Sequence, residues 1–294
     1  MLRIISIMAL SAVAVTSSFG QDEFRAYLIR RAITPPVIES RELVNSKDPA
    51  KWQGMVKINT ERMRSGKGCF ELDKYTSGGI ESELIPVDFT KTYRLSCFMR
   101  SLDGANPASG DFGLMMYDQN KRPITYMNVC VVKDSETVLA APVVKDSRDL
   151  RIDGNPKWLG VSNWCGRVAF NIKDHYADLP NFECSPQIEK VVEENKQCKI
   201  VLREPLNGNY PAGTKVRLHS FYNAPLYGIA WGWMPAGWEQ FSATIKGEAP
   251  VGTPATSFWR GTRFVRVYFG FGNYDKIPRP GAILLVDDIH FVEE

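Results

Sequence analysis

Short segments in which apolar and polar residues alternate are the dominant feature of this chain of 294 residues. In the segment from Tyr93 to Arg100, every second residue is apolar: Tyr93, Leu95, Cys97 and Met99. The same alternation recurs at 213–219 and 262–269, and clusters of Gly, Pro and Asn separate the segments. Because a strand places successive side chains on opposite faces, this pattern predicts half-buried strands. Many short strands joined by such turns favour an antiparallel β-sandwich.

The overall composition narrows the class of partner. The chain has 36 Lys and Arg against 33 Asp and Glu, a formal net charge of +3, with 44% hydrophobic and 23% charged residues. These are ordinary globular proportions, which exclude a disordered or collagen-like chain. A charge of +3 over this length is too small to indicate nucleic acid or an anionic membrane as the main partner. We therefore expect no nucleic-acid partner.

The first twenty residues have the pattern of a secretory signal peptide. Arg3 precedes an apolar run from Ile4 to Val15, and small residues follow up to Gly20. The alternative is a membrane anchor, but a membrane-spanning helix needs about 20 apolar residues, and this run is shorter. The pattern predicts export, with cleavage before Gln21 and no membrane span. Residues 21–35 are then an N-terminal extension.

The remaining residues, 36–294, are predicted to form one β-sandwich domain with a long insertion at about 133–206. The insertion is polar and loop-rich, and we expect too few apolar residues in it for a core of its own. Within it, the spacing of Ile188, Val191 and Val192 predicts a short surface helix from Ser185 to Lys196, with Pro186 at its first position.

The six cysteines permit disulfides in an exported protein. They are Cys69, Cys97, Cys130, Cys165, Cys184 and Cys198. Zinc is disfavoured because there is no Cys-x-x-Cys pair. The first pairing expected is Cys165 with Cys184, although spacing alone leaves the connectivity open. The alternation around Cys97 favours a buried thiol there.

Five motifs, taken in order, resemble the carbohydrate-binding modules of the family 4 and 9 type, which are galactose-binding-like jelly rolls. The motifs are Ser-Gly-Lys-Gly at 65–68, Tyr-Arg-Leu-Ser at 93–96, Phe-Gly-Leu-Met-Met-Tyr at 112–117, Gly-Trp-Glu-Gln-Phe at 237–241 and Val-Asp-Asp-Ile at 286–289. The resemblance covers roughly 36–132 and 207–294 and leaves the insertion unmatched. It implies a jelly roll that binds polysaccharide.

The resemblance also implies structural calcium, although the opening that commonly supplies a ligand is replaced here by Glu42-Leu43-Val44-Asn45. Asp287 has the parity of Ile289 and Phe291, so it is predicted to face inward and to need compensation. Calcium held by Asp287 and Glu42 is one solution. A salt bridge, or hydrogen bonds from a neighbouring turn, is the other.

A cluster of aromatic residues near the C-terminal end supplies the candidate binding site. Sugars present flat C–H faces and hydroxyls, so a site needs exposed rings beside polar groups. Trp231 and Trp233 share a strand face on either side of Gly232, and the alternative is that such rings fill the core. The full set of candidate ligand-binding residues is Trp231, Trp233, Tyr227, Tyr222, Arg217, His219, Arg266 and Tyr268.

The sequence thus predicts an exported glycan-binding protein, more plausibly without catalytic activity than with it. A polysaccharide lyase on the same scaffold is the first alternative, with His219 and Arg217 or His175 and Tyr176 as its candidate groups. A structural or adhesion protein of the cell surface is the second. No Gly-x-Ser-x-Gly motif supports an α/β-hydrolase.

Overall fold

The computed structural model describes residues 41–45, 49–54, 57–73, 79–159, 161, 166–220, 226–272 and 281–294. The predicted signal peptide (1–20), the predicted extension (21–35), Cys165 and Tyr222 lie outside the described residues. Tyr227 is described by its backbone alone.

Within the described residues the chain forms strands almost throughout. They are β1 (Arg41–Asn45), β2 (Trp52–Gly54), β3 (Lys57–Asn59), β4 (Cys69–Asp73), β5 (Ile80–Ser82), β6 (Ile85–Pro86), β7 (Thr92–Ser101), β8 (Ser109–Tyr117), β9 (Pro123–Ile124), β10 (Thr137–Val138), β11 (Asp149–Asp153), β12 (Gly166–Phe170), β13 (Ile188–Glu194), β14 (Gln197–Leu202), β15 (Lys215–Ser220), β16 (Leu226–Trp233), β17 (Glu239–Lys246), β18 (Phe264–Gly272) and β19 (Ile283–Glu293). One α-helical turn, α1, spans Tyr126–Val129, and 3₁₀ turns span Pro49–Lys51, Pro156–Trp158 and Asp174–Tyr176.

Two large antiparallel sheets form the main sandwich. The first has the order β17-β7-β19-β4-β3, with β1 added to β19; the second has the order β16-β8-β18-β5-β2, with β6 on β18 and β9 on β8. Strands β7 and β8 lie in different sheets, and so do β16 and β17, and β18 and β19. The chain therefore crosses between the sheets repeatedly, as in a jelly roll. The predicted all-β, antiparallel sandwich is confirmed.

The core of the main sandwich follows from the alternation in the long strands. Leu95, Cys97 and Met99 of β7 are fully buried, as the parity predicts. Phe112 of β8 stacks on Phe269 of β18, with ring centroids 4.8 Å apart. Burying large apolar side chains of this kind stabilises a fold by about 1.5–3 kcal/mol each.

The region predicted as a core-less insertion has a hydrophobic core, so that part of the prediction is wrong. Two three-stranded sheets, β10-β15-β12 and β11-β14-β13, lie there. Strand β14 contributes three buried apolar residues, and β11, β12, β13 and β15 contribute one or two each. The fully buried Trp158 donates its indole N–H to the Ser135 carbonyl at 2.9 Å. Fourteen buried residues form this second core: Leu139, Val143, Leu150, Ile152, Trp158, Val168, Phe170, Ile188, Cys198, Ile200, Leu202, Leu206, Val216 and Leu218. We call this part, residues 131–220, the second unit.

The helix predicted from Ser185 to Lys196 is a β-strand, β13, paired with β14. Asn195 and Lys196 join the two strands and have φ values of 52° and 64°. Two successive positive φ values are typical of a type I′ turn, which joins the strands of a tight hairpin. The turn and the pairing with β14 therefore make this segment a strand, although the spacing of its valines also fits a helix.

Hydrogen bonds join the main sandwich to the second unit at α1. The Asn128 side chain donates to the Asn181 carbonyl at 2.9 Å, and Asn181 in turn donates to the Phe170 carbonyl at 2.9 Å. The imidazole Nδ1 of His219 lies 2.7 Å from the Met127 carbonyl. Because these groups are buried, the contacts fix the second unit against the sandwich.

The five described cysteines have free thiols. Cys184, predicted to pair with Cys165, instead lies 3.5 Å from the Asn181 carbonyl. Burial raises the pKa of its thiol to about 12, so it is an unreactive group. The predicted bridge is therefore not formed at Cys184. Cys97 is fully buried, as predicted.

Among the described residues, no helix combines the length and the apolar character that crossing a membrane requires.

Candidate functional site

The edge strand β16 exposes two tryptophans on one side of the second sheet. Trp231 is 54% exposed and Trp233 is 45% exposed, while the neighbouring Ala230 and Met234 are buried. Gly232 between them has a φ of +105°, a conformation that residues with a side chain rarely adopt. This alternation is consistent with the prediction that both rings lie on one face of the strand.

Tyr268 of β18 lies on the same side of the sheet. In the ladder, Trp231 is opposite Asp111, and Tyr268 is opposite both Gly113 and Glu81. The Tyr268 side chain covers Gly79 and Gly270. A Cβ atom at Gly79 would lie 2.5 Å from a ring carbon of Tyr268, and one at Gly270 would lie 2.5 Å from its hydroxyl. The ring therefore lies along the sheet. Burial raises the pKa of Tyr268, and the carboxylates of Asp111 and Glu81 add to that effect.

Arg266 supplies the positive charge on this side. Its Nη1 donates to the Ser82 carbonyl at 2.7 Å, and its Nε lies 3.8 Å from a carboxylate oxygen of Glu81. These two contacts from β5 hold a guanidinium that is 19% exposed. We call the group Trp231, Trp233, Tyr268, Arg266, Asp111 and Glu81 the sheet face.

Four of the predicted ligand-binding residues lie on the sheet face: Trp231, Trp233, Arg266 and Tyr268. Sequence reasoning missed Asp111 and Glu81. Asp111 is partly exposed between the buried Gly110 and Phe112, so the alternation of β8 contained the signal. Glu81 lies in a strand of three residues, which is too short to show a period.

Arg217 and His219 were also predicted on a neighbouring surface, and this is wrong. They lie on β15 in the second unit, and their exposed fractions are 1% and 0%. The alternation of β15 separates their face from that of Val216 and Leu218, but it does not reveal that the polar face is covered too. α1 and the loop containing Asp178 cover it.

Arg217, His219 and Asp178 form a buried polar cluster. Arg217 Nη2 donates to Asp178 Oδ2 at 2.8 Å, and Arg217 Nε donates to His219 Nε2 at 3.2 Å. Burial, opposed by the hydrogen bond to Met127 and reinforced by Arg217, lowers the pKa of His219 to about 4. A neutral, enclosed imidazole of this kind does not reach a substrate. His219 therefore does not fit the base of a lyase.

Tyr222 lies outside the described residues, and nothing is described of the Tyr227 side chain. The backbone of Tyr227 pairs with Leu114, three positions along β8 from the partner of Trp231. Among the other tryptophans, Trp259 is fully buried in the core. Trp238 is partly exposed, with the Arg100 guanidinium 5.8 Å from its ring.

The predicted calcium ligands lie apart and have other partners. The carboxylate of Asp287 is 2% exposed and accepts the backbone N–H groups of Arg64 at 2.8 Å and Ser65 at 3.0 Å. Glu42 instead lies 2.7 Å from His290. These N–H groups compensate the buried charge of Asp287. Asp287 thus has the hydrogen bonds from a neighbouring turn that the sequence leaves open as the alternative to calcium, and no cluster of three or more potential ligands occurs among the described residues.

Comparisons with known proteins give distant structural likenesses. The CBM22-1 xylan-binding domain of Xyn10C from Paenibacillus barcinonensis matches with a TM-score of 0.36 and 8% identity, over 88% of this chain and 97% of that one. The CBM22-1–CBM22-2 tandem of the same protein matches with a TM-score of 0.24 and 10% identity, over 90% of this chain and 100% of that one. A candidate sugar-binding protein from Bacteroides thetaiotaomicron matches with a TM-score of 0.24 and 8% identity, over 86% and 95% of the two chains.

At such low TM-scores these likenesses are too distant to transfer a ligand or a site residue to this chain. No family model matches it, and no curated protein matches it in sequence.

Proposed function

We propose that this protein is exported and binds polysaccharide on the sheet face. The observation that carries the proposal is the exposure of Trp231 and Trp233 on the side of the sheet that also holds Tyr268. Large rings are normally buried in a sandwich core. Two exposed tryptophans on one strand therefore indicate a surface that a ligand covers.

The chemistry of the sheet face suits sugars. Flat rings bind the C–H faces of pyranose units, and the carboxylates of Asp111 and Glu81 accept hydrogen bonds from hydroxyls. The Arg266 guanidinium donates to ring and hydroxyl oxygens. The face lies on the outside of a sheet, which suits the interior of an extended polysaccharide chain.

The experiment that tests this proposal is Trp233→Ala, with melting temperature and polysaccharide affinity measured on the same sample. Because the ring is 45% exposed, we expect the melting temperature to stay close to that of the wild type. Loss of a stacking ring should weaken binding by about 1–3 kcal/mol. The matched control is Phe89→Ala, which removes an exposed ring from the turn before β7.

A screen of the wild-type protein against a panel of plant, fungal and bacterial polysaccharides selects the ligand for this measurement. The same samples are assayed for released reducing ends and unsaturated products, because turnover would favour the lyase alternative. Equal affinity of Trp233→Ala and wild type would contradict the proposed face. A large fall in melting temperature would place Trp233 in the core.

A further inference from the structure

The second unit contains a cavity that the sheet face does not use. Its volume is about 480 Å³, within the usual range for small-molecule sites. It lies between β10, β15 and the 3₁₀ turn Asp174–Tyr176. The polar and aromatic residues that line it are Glu136, Thr137, Lys173, Asp174, His175, Tyr176, Lys215 and Arg217.

Arg217 forms the floor of the cavity and is held rigidly. Its guanidinium has five N–H groups. Four contacts to Asp178 and His219 account for Nε, for both Nη2 hydrogens and for one Nη1 hydrogen. Among the described residues no partner takes the second Nη1 hydrogen. Because Arg217 is 1% exposed, it contributes positive charge to the floor, and the exposed rim residues Lys215 and Asp174 make the direct contacts to a ligand.

The turn that carries Tyr176 is strained. His175 and Tyr176 have φ values of 54° and 58°, and the left-handed region is unfavourable for residues with bulky side chains. The turn places the Tyr176 ring 5.1 Å from the Arg217 guanidinium carbon. Strained residues of this kind tend to occur at binding sites, where surrounding contacts maintain them. Here the strain sets an aromatic ring beside the floor of the cavity.

The charges of the cavity largely compensate one another. Asp178 lies 2.8 Å from Arg217 beneath the floor, and Asp174 lies 3.3 Å from Lys215 on the rim. His219 is neutral near pH 7 because burial and Arg217 hold its pKa at about 4. Lys173 and Glu136 add one charge of each sign. The cavity therefore offers donors, acceptors and a ring without a strong excess of either charge.

We propose that this cavity is a second carbohydrate site, which takes a single neutral sugar unit, either free or at a chain end. A sugar has several hydroxyls that both donate and accept, and it has an apolar face. The lysines donate, Asp174 and Glu136 accept, and Tyr176 supplies the ring. The cavity is open on the side of Lys215 and Asp174, whose side chains are 60% and 82% exposed, so a sugar unit enters over that rim onto the floor. This proposal does not depend on the sheet face.

The test uses the folded chain and free monosaccharides. Glucose, galactose, xylose, arabinose and glucuronate are titrated individually, with saturation-transfer NMR and calorimetry as readouts. The variants are Tyr176→Ala and Lys215→Met. Phe89→Ala, outside both sites, is the matched control, and Trp233→Ala measures any binding of the same sugars to the sheet face. Melting temperature and near-UV circular dichroism check folding of each. Lys215→Met keeps the proposal testable if Tyr176→Ala does not fold, since Lys215 is an exposed side chain.

We expect at least one of the neutral sugars to bind, and each cavity variant to weaken that binding by about tenfold or more. Phe89→Ala should leave it unchanged. Comparing a free monosaccharide with a short oligomer of the same sugar distinguishes a soluble ligand from a chain end. The proposal is overturned if no neutral sugar binds, if glucuronate alone binds, or if only Trp233→Ala weakens the binding.

Discussion

Arg217 shows that a sequence pattern typical of a binding surface can instead belong to a buried ion pair. In the sequence, an arginine two residues from a histidine on a strand face suggests a binding surface. In the structure, its charge is buried against Asp178, and Asp178 keeps a lowered pKa because the Lys173 N–H, the Asn181 amide and Arg217 together outweigh its burial. A buried charge survives only when it is paired and hydrogen-bonded. That pairing makes the cluster sensitive to acid.

The first prediction at this scale is that the free energy of unfolding decreases as the pH falls from 6.5 to about 4. The folded protein holds the pKa of His219 at about 4 against an ordinary 6.5, so the unfolded chain binds this proton first. The stabilisation is complete above 6.5 and is lost progressively toward about 4. The total effect is on the order of 3 kcal/mol. Urea unfolding across this interval measures it.

The control for this prediction is His219→Gln, which keeps a polar side chain but does not titrate. In this variant the free energy of unfolding should change much less between pH 6.5 and about pH 4 than in the wild type. If the free energy of unfolding fell equally with pH in the wild type and the variant, a group other than His219 would cause the loss of stability. The charged groups that act on His219 are Arg217 and Asp178, and both are retained in the variant.

At the scale of elements, β19 is an interior strand of the first sheet and pairs with β7, β4 and β1. The pairing of β19 with β7 shifts register between Asp287 and His290, and Asp288 has a φ of 46°. This bulge directs the Asp287 carboxylate onto the turn that contains Arg64 and Ser65. The Asp287 side chain thereby accepts main-chain N–H groups from a segment more than 200 residues away in sequence.

We expect Asp287→Ala to lower the free energy of unfolding by about 1–3 kcal/mol, because it removes the part-buried hydrogen bonds that join β19 to the turn of Arg64 and Ser65. Calcium binding stays a prediction, and a chelator distinguishes the two explanations in thermal unfolding. If the N–H groups alone satisfy Asp287, the wild-type melting temperature is the same with and without chelator. A chelator effect present in the wild type and absent in Asp287→Ala would restore calcium at this carboxylate.

The hairpin of β13 and β14 shows a limit of periodicity at the same scale. Ile188, Val191 and Val192 satisfy a helical spacing as well as a strand with a bulge, and the pairing of β13 shifts register between Ile188 and Lys190. The deciding signal is the turn Asn195-Lys196, where Asn readily adopts a positive φ. Local turn residues are thus more informative here than the apolar spacing.

At the scale of the whole molecule, the main sandwich and the second unit bring different surfaces to solvent. The sandwich presents the sheet face, and the second unit presents the cavity above Arg217. Both proposed ligands are carbohydrates, so a protein with both sites would hold a polysaccharide at two positions of different geometry. Linked sites increase the overall affinity even when each is weak.

Export is the remaining prediction at this scale. The pattern of Arg3, the apolar run from Ile4 to Val15 and Gly20 predicts cleavage, and mass spectrometry of secreted protein should give an N-terminus at or near Gln21. A mature protein that begins at Met1 would contradict this.

The sequence by itself determined the sandwich of strands, because a period of two in Tyr93 to Arg100 and in β18 has one geometric solution. It also predicted that Trp231 and Trp233 share one side of a strand, and that Arg266 and Tyr268 do so on another, since parity alone places each pair. Only the tertiary structure decided that the insertion has a core, that Arg217 and His219 are buried, and that Asp287 accepts hydrogen bonds from a distant turn. The physical reason is that alternation separates the two faces of a strand, but what covers each face depends on segments far away in the chain.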